Sequence, residues 1–309
     1  MAMGGNLQIA TSGRCCALSI LITAFREAET VGRAIDAFLS QLPADAEILV
    51  ICPDPATAAV VDGYAAHHPA VRHVADPQRG KPAALNVGLK AARGDIVVLS
   101  DGDVVVAGDA LAALLAPFED LQVGAVSGYP LSVSPRDTVL GYWSHLLIEG
   151  IHQMRLARDR AGQFLSCSGY LFAFRRVLIE RIPEEALAED AVVSHRIAHQ
   201  GYRVRYAPDA HVFVKYPATY RDWLRQKVRS AGGHVQDYVR KSPLRTRSAW
   251  LEMVNGARLA LQYPRDGREF LWTLLLFAAR LHLWLLVFIN VRLLRRPLRA
   301  LWQRVETTK

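Results

Sequence analysis

The sequence predicts an α/β protein: a mixed, largely parallel sheet flanked by helices, followed by an apolar and basic helical appendage. Three observations predict it. Short apolar runs rich in β-branched residues alternate with helical patterns through residues 17–100. The 309 residues are 51% hydrophobic and 21% charged, which suits a large core and excludes global disorder. From residue 221 onward, 18 Lys and Arg stand against 6 Asp and Glu, while the whole chain carries only +8. Residues 1–220 are therefore mildly acidic, and the basic character belongs to the tail.

The elements follow in order. Residues 17–22 form an apolar strand. Val31, Ala34, Ile35, Phe38 and Leu39 then recur at the spacing of one helical face. A second strand covers 47–52, followed by an Ala-rich helix to about residue 66 and a third strand at 71–75. Residues 82–93 read as a helix with Pro82 in its first turn and Gly94 past its end. Residues 95–100 are apolar on both faces, as in a central parallel strand. The second half is less regular. It offers a strand at 123–129, a helix over 137–160, a Ser/Gly turn entering a strand at 166–176, a helix at 190–199, two strands at 203–208 and 211–216, and a basic helix at 219–233. In such sheets ligands bind beyond the carboxyl ends of the strands, here just after residues 22, 52 and 100.

Composition excludes several classes. Cys15 and Cys16 are adjacent and Cys52 and Cys167 isolated, so no zinc spacing or disulfide scaffold exists, and a reducing compartment is expected. A nucleic-acid partner is not expected, because the folded part lacks a basic stripe and a recognition motif. Residues 1–14 lack the early basic residue and apolar run of a secretion signal. Residues 270–291 match a bilayer span in length, but Arg280 and His282 interrupt them. A central Arg costs about 3 kcal/mol in a lone span. A core helix, an interfacial or re-entrant helix and a true span all remain open. The basic flanks favour a site near anionic lipid.

Four constellations carry chemistry. Asp101-Gly102-Asp103 follows the central strand, and two carboxylates one residue apart suit Mg²⁺ or Mn²⁺ shared with substrate phosphates. A solvated Asp-Gly turn is the bland alternative. Residues 78–86 place Arg79, Gly80 and Lys81 before a helix N-terminus, a favourable anion site that lacks the Walker A spacing. Glu189-Asp190 opens a helix, where acids also serve simply as caps. Gln226, Lys227 and Arg229 lie on the basic helix, whose bland reading is a solvated face.

In this order the four resemble the inverting glycosyltransferases of family 2, which have the GT-A (Rossmann-like) fold. The resemblance covers about residues 17–235. Thr23-Ala24-Phe25-Arg26-Glu27 stands at the family's first turn, and Asp54 follows the second strand. The Gly-Lys-x-x-Ala-Leu-Asn-x-Gly-Leu block matches residues 80–89. The DxD motif matches Asp101 and Asp103, the Ser-Gly motif Ser168-Gly169, and the Glu-Asp motif Glu189-Asp190. Gln226 and Arg229 match Gln-x-x-Arg-Trp, with Ser230 in place of the Trp; the usual Asp-Asp-Gly-Ser is absent.

The resemblance implies a GT-A domain over 15–240. Its nucleotide-binding half would cover about 15–103 and its acceptor half about 104–240, before a membrane-associating tail over 241–309. It implies donor contacts at Ala24, Glu27, Asp54, Lys81 and Asp101, with Mg²⁺ or Mn²⁺ held by Asp101 and Asp103. Asp190 would be the catalytic base. Ser168, Gly169, Glu189, Gln226 and Arg229 would line the acceptor and diphosphate. Arg175 and Arg176 follow the Ser-Gly strand as candidate acceptor contacts, with a solvated surface pair the favoured alternative. The expected activity is metal-dependent transfer of one sugar from a UDP- or GDP-type donor to an acceptor hydroxyl or a lipid phosphate, on a saccharide or lipid-linked acceptor, non-processively, at the cytoplasmic membrane face. The competing readings are a membrane-bound scaffold that keeps the fold without catalysis, and a sugar nucleotidylyltransferase, which should show a Gly-rich loop after the first strand.

Overall fold

The computed structural model describes residues 18–235, Leu244, Gly256 and 258–289. The predicted strand–helix alternation is present, and it makes one eight-stranded sheet of order β3-β2-β1-β4-β7-β6-β8-β5.

The first half is β1 (Leu18–Thr23), α1 (Val31–Leu39), β2 (Glu47–Cys52), α2 (Pro55–His67), β3 (Val71–Ala75), α3 (Lys81–Ala91) and β4 (Ile96–Asp101). Its four strands are all parallel. Side chains alternate across a strand, and the core divides accordingly. Ile20, Ile22, Ile48, Val50 and Val98 pack with Val31, Ile35 and Phe38 of α1. Leu21, Leu49, Ile51, Val97 and Leu99 pack on the other face with Leu85 and Leu89 of α3. Strands buried on both faces must be apolar throughout, which explains their unbroken apolar runs.

The second half comprises β5 (Val105–Val106), α4 (Ala110–Leu115), β6 (Val123–Ser132), α5 (Val139–Arg160), β7 (Leu171–Arg175), α6 (Glu189–His199), β8 (Arg203–Val214) and α7 (Tyr220–Val235). Here β7 runs antiparallel to both β4 and β6, and β5 antiparallel to β8. The structure corrects the sequence reading in two places. The strands expected at 203–208 and 211–216 are one strand. Ser127 pairs with Tyr206 and Tyr129 with His211, so β8 bulges around Pro208, which cannot donate to the ladder. Residues 104–122, for which the pattern predicts no element, form β5, α4 and a short 3₁₀ turn.

The apolar C-terminal segment is a helix, α8 (Gly267–Phe288). Asp266 caps it by accepting from Glu269 N at 2.8 Å. One stripe, Thr273, Leu276, Ala279, Leu283 and Val287, is buried. Within a satellite cluster Leu276 and Ala279 meet Tyr142, Trp143 and Leu146 of α5 and Trp223 of α7. Arg136, just before α5, makes a two-pronged ion pair with Glu269 at 2.8 and 3.0 Å and donates to Tyr263 Oη. Residues 290–309, with the basic cluster Arg292, Arg295, Arg296 and Arg299, lie outside the described residues, as do residues 1–17 with Cys15 and Cys16.

Candidate active site

The carboxyl ends of β1, β2 and β4 meet at one edge of the sheet, because Thr23 is in register with both Ile51 and Asp101. Antiparallel β7 begins at the same edge, with Leu171 opposite Ser100. The predicted motifs converge there because the strands that carry them end or begin together.

On the β1 side, the Asp54 carboxylate caps α2 through Thr57 N and Thr57 Oγ1, at 3.0 and 2.8 Å. Its other oxygen accepts from Arg26 N at 2.7 Å. Arg26 takes a positive φ of 55°, an uncommon conformation for a side-chain-bearing residue, and the Asp54 bond holds it there. Asp54 is partly desolvated, which works against its charge, but these N–H donors hold its carboxyl below the ordinary range. It thereby shapes the turn that carries Ala24 and Glu27. Gly102 sits under that turn. A Cβ there would come within 2.6 Å of Glu27 Oε2 and 2.8 Å of Ala24 Cβ, so the Asp101-Gly102-Asp103 corner requires glycine.

The centre of the site is Lys81, in the first turn of α3. Its Nζ lies 2.6 Å from Asp101 Oδ1 and 2.7 Å from Glu189 Oε1. Thr23 Oγ1 donates to the same Asp101 oxygen at 3.0 Å. Burial opposes the ammonium charge, yet the two carboxylates hold its pKa well above the usual lysine range. One side chain thus ties three separate motifs together. Asn86, a turn further along α3, grips the loop before α6. Its Nδ2 donates to Ile182 O at 2.7 Å and its Oδ1 accepts from Ile182 N at 2.8 Å.

Asp190 follows Glu189 in the first turn of α6. Its Oδ2 would stand 3.3 Å from a Cβ at Gly169, so the Ser168-Gly169 turn leaves the carboxylate its room. Burial and the neighbouring Glu189 charge lift Asp190 to about 6, against the partial relief of Ala191 N–H, Lys81 and Arg155. A carboxyl poised near neutral pH suits a general base. Ser168 N donates to Ser127 Oγ and Cys167 N to Ser194 Oγ, fixing the turn that faces it.

Gln226 of α7 is buried. Its Nε2 reaches Tyr170 Oη at 3.4 Å, while its Oε1 has no hydrogen-bond partner among the described residues. The Arg229 side chain lies outside the described residues. Arg175 and Arg176 are not acceptor contacts. Arg175 pairs with Ile96 at the opposite end of β4 and donates to Val123 O and Phe118 O, and Arg176 donates to Gly94 O. Both satisfy backbone carbonyls far from Asp101. The sequence reading missed Arg155 of α5, whose charge reaches Asp190. Nothing in spacing separates it from Arg158 and Arg160 on the same helix.

A sheet of this order with an acidic corner after β4 defines the GT-A class of glycosyltransferase fold. A mannosyltransferase of Pyrobaculum calidifontis, solved with GDP-Man and Mn²⁺, matches over 92% of this chain and 82% of its own, with a TM-score of 0.62 and 25% identity. The chain belongs to glycosyltransferase-like family 2, whose model matches residues 16–233. A poly-beta-1,6-N-acetyl-D-glucosamine synthase of Staphylococcus epidermidis is 27% identical over 225 residues, 70% of this chain and 54% of that protein. A probable glycosyltransferase of Bacillus subtilis, YdaM, is 28% identical over 232 residues, 70% and 55% respectively. The chain therefore spans about half the length of the curated relatives it matches.

Proposed function

We propose that the protein transfers a sugar, with inversion, from a UDP- or GDP-type nucleotide-sugar to an acceptor hydroxyl. The observation that carries this reading is Lys81 bridging Asp101 and Glu189, which sets the base candidate Asp190 beside the acidic corner. The donor would lie over the first turn, near Ala24, Glu27 and Asp54, with its diphosphate toward Lys81 and Asp101. Asp190 takes the proton of the acceptor hydroxyl as that oxygen bonds to the sugar's C1. The bond from C1 to the diphosphate breaks, and the nucleoside diphosphate departs. Single displacement from the far side inverts C1. The buried Gln226 Oε1 suits a hydroxyl of the bound sugar or acceptor, because a buried acceptor without a donor is costly.

The residues fit a divalent ion. Among the described residues no three His, Cys, Asp or Glu side chains form a metal cluster, so Asp101 and Asp103 would supply two carboxylates and the donor diphosphate the remaining oxygens. That division is usual for Mg²⁺ and matches hard-cation chemistry. When bound, the ion would neutralise charge developing on the leaving diphosphate. The likeness to the mannosyltransferase solved with GDP-Man and Mn²⁺ supports a divalent ion in the proposed reaction.

Helix α8 supports action at a membrane. Away from its buried stripe it exposes Leu271, Leu274, Leu275, Leu281, Trp284, Leu285 and Phe288. Its buried stripe lies along the domain from Thr273 to Val287, which favours an interfacial helix over a span. The cytoplasmic face and transfer of one sugar per encounter belong to the same proposal; the exposed apolar face of α8 and the basic excess after residue 220 support the membrane part of it.

The test is nucleotide release from UDP- and GDP-sugars with Mn²⁺, for the wild type and Asp190→Asn. Release by the wild type with a loss of at least a hundredfold in the variant, at unchanged donor affinity, supports the reading. Release by neither protein moves the chain to a scaffold that keeps the fold.

A further inference from the structure

Two cations act on the charge of Asp190, and they are provided for differently. Lys81 is neutralised by Asp101 and Glu189. Arg155 is on α5. Its Nε donates to Ser166 O at 3.2 Å, in the run that leads into the Ser168-Gly169 turn. No carboxylate among the described residues lies within ion-pair distance of it. The nearby acids are committed elsewhere: Asp159 to Arg205, and Glu149 to Gln153. Arg155 keeps some contact with solvent but is densely surrounded by protein, and burial lowers its pKa, so its charge is costly where it stands. Its field reaches Asp190, Cys167, Tyr206 and Tyr216. A single long bond to a carbonyl does not require a guanidinium. A crowded cation with no ion-paired carboxylate among the described residues, in the field of a base, is the arrangement expected of a site whose anion arrives with the substrate.

The surroundings add donors. His152 lies one turn before Arg155, and its Nδ1 is 2.8 Å from Tyr206 Oη. Tyr129 stacks on the His152 ring at 4.2 Å. α5 also carries Tyr142 and Trp143, against which α8 packs. The Arg155 side of the site and the apolar helix are thus built on one rigid element.

We propose that Arg155 binds a phosphate group of the acceptor, so that the acceptor is a phosphate-bearing hydroxyl compound. This rests on the transferase reading and names its second substrate class. The phosphate is not itself changed. The hydroxyl oxygen bonds to the donor's C1, the bond from C1 to the diphosphate breaks with its electron pair leaving on the nucleoside diphosphate, and the hydroxyl proton passes to Asp190. Arg155 fixes the acceptor so that this hydroxyl faces Asp190, with bidentate geometry that suits a phosphate.

The experiment is titration of the full chain, in neutral detergent with Mn²⁺ and nucleoside diphosphate, with three probes: 1-decylglycerol 3-phosphate, glycerol 3-phosphate and neutral 1-decylglycerol. The wild type should bind a phosphate probe and not the neutral one. Arg155→Met should weaken that binding at least tenfold and Arg155→Lys by less, with nucleotide binding and Tm unchanged in both. Equal binding of both phosphate probes identifies a soluble acceptor, and binding of the alkylated one alone identifies a lipid-borne acceptor. Unchanged phosphate binding in Arg155→Met, or no preference for phosphate in the wild type, overturns the proposal. Failure of the wild type to bind UDP or GDP overturns instead the transferase reading beneath it.

Discussion

The two halves of the sheet are built on different principles. β3, β2, β1 and β4 are parallel neighbours joined by helices, so each strand and its crossover form a local unit. Among β7, β6, β8 and β5, antiparallel and parallel pairs mix, and partners lie far apart in sequence; β5 pairs with β8 across a hundred residues. The regular half presents aligned strand ends, the acidic corner and the α3 N-terminus. The irregular half supplies the turn and helix that carry Ser168, Gly169 and Asp190. The chemistry sits on their seam, where Lys81 and Asn86 of one half hold Glu189 and Ile182 of the other. In the proposed reaction the first half is the donor platform and the second the acceptor wall.

The predictions test that division, the largest effect first. Asp190→Asn should lower kcat by about 10²–10⁴-fold while leaving the donor Kd within about twofold, because a base acts in the chemical step. Equal losses in donor binding would make Asp190 part of the platform instead. Arg136→Met leaves the buried Glu269 carboxylate with only the Arg265 N–H among the described residues, and should cost about 3 kcal/mol in chemical denaturation without altering donor affinity, since Arg136 bonds to Tyr263 and the C-terminal helix. Asn86→Ala cuts both hydrogen bonds to Ile182 and should cost about 2 kcal/mol. Its kcat should fall as well, because α6 and Asp190 lose a tether; an unchanged kcat would show the halves to be aligned by Lys81 alone.

The smallest effects concern pH. With Asp190 raised to about 6, kcat/KM should rise with pH along an acid limb near that value and flatten above it. The same shift acts on stability in the opposite sense. The folded protein binds this proton more tightly than the unfolded chain, so the contribution is full below the ordinary carboxylate range and is lost as pH rises through about 6. Asp190→Asn should therefore melt about 2–4 °C above the wild type at pH 8, with the gap closing below pH 4. A variant that melts lower at pH 8 would show the carboxylate to be structurally required.

Legibility followed the same seam. β1, β2 and β4 could be read to within a residue or so, because strands buried on both faces are apolar runs and Pro and Gly mark the ends of the helices between them; β3, an edge strand carrying Arg72 and His73, was read from its place after the second helix. β5 is two residues long and α4 is one and a half turns, too short to show a period. The bulge at Pro208 hid one strand as two. The acidic corner, Lys81 and Glu189-Asp190 were legible as motifs, but their convergence through one ammonium was not, since it depends on long-range register. Arg175 and Arg176, open in the sequence between acceptor contact and solvated surface, do neither: antiparallel pairing carries them to the opposite edge, where they bond backbone carbonyls. The features of Arg155 that matter are its burial and its having no ion-paired carboxylate among the described residues, and only the fold shows them.

The most direct test of the central claim is a thermal-shift screen of UDP-, GDP-, ADP- and TDP-sugars, with and without Mn²⁺, on the wild type and Asp103→Asn. Ligand bound to the native state alone raises Tm by mass action. The account predicts a shift with one nucleotide class that needs Mn²⁺ and disappears in Asp103→Asn. No shift with any donor, or a shift of the same size without metal and in the variant, would contradict it.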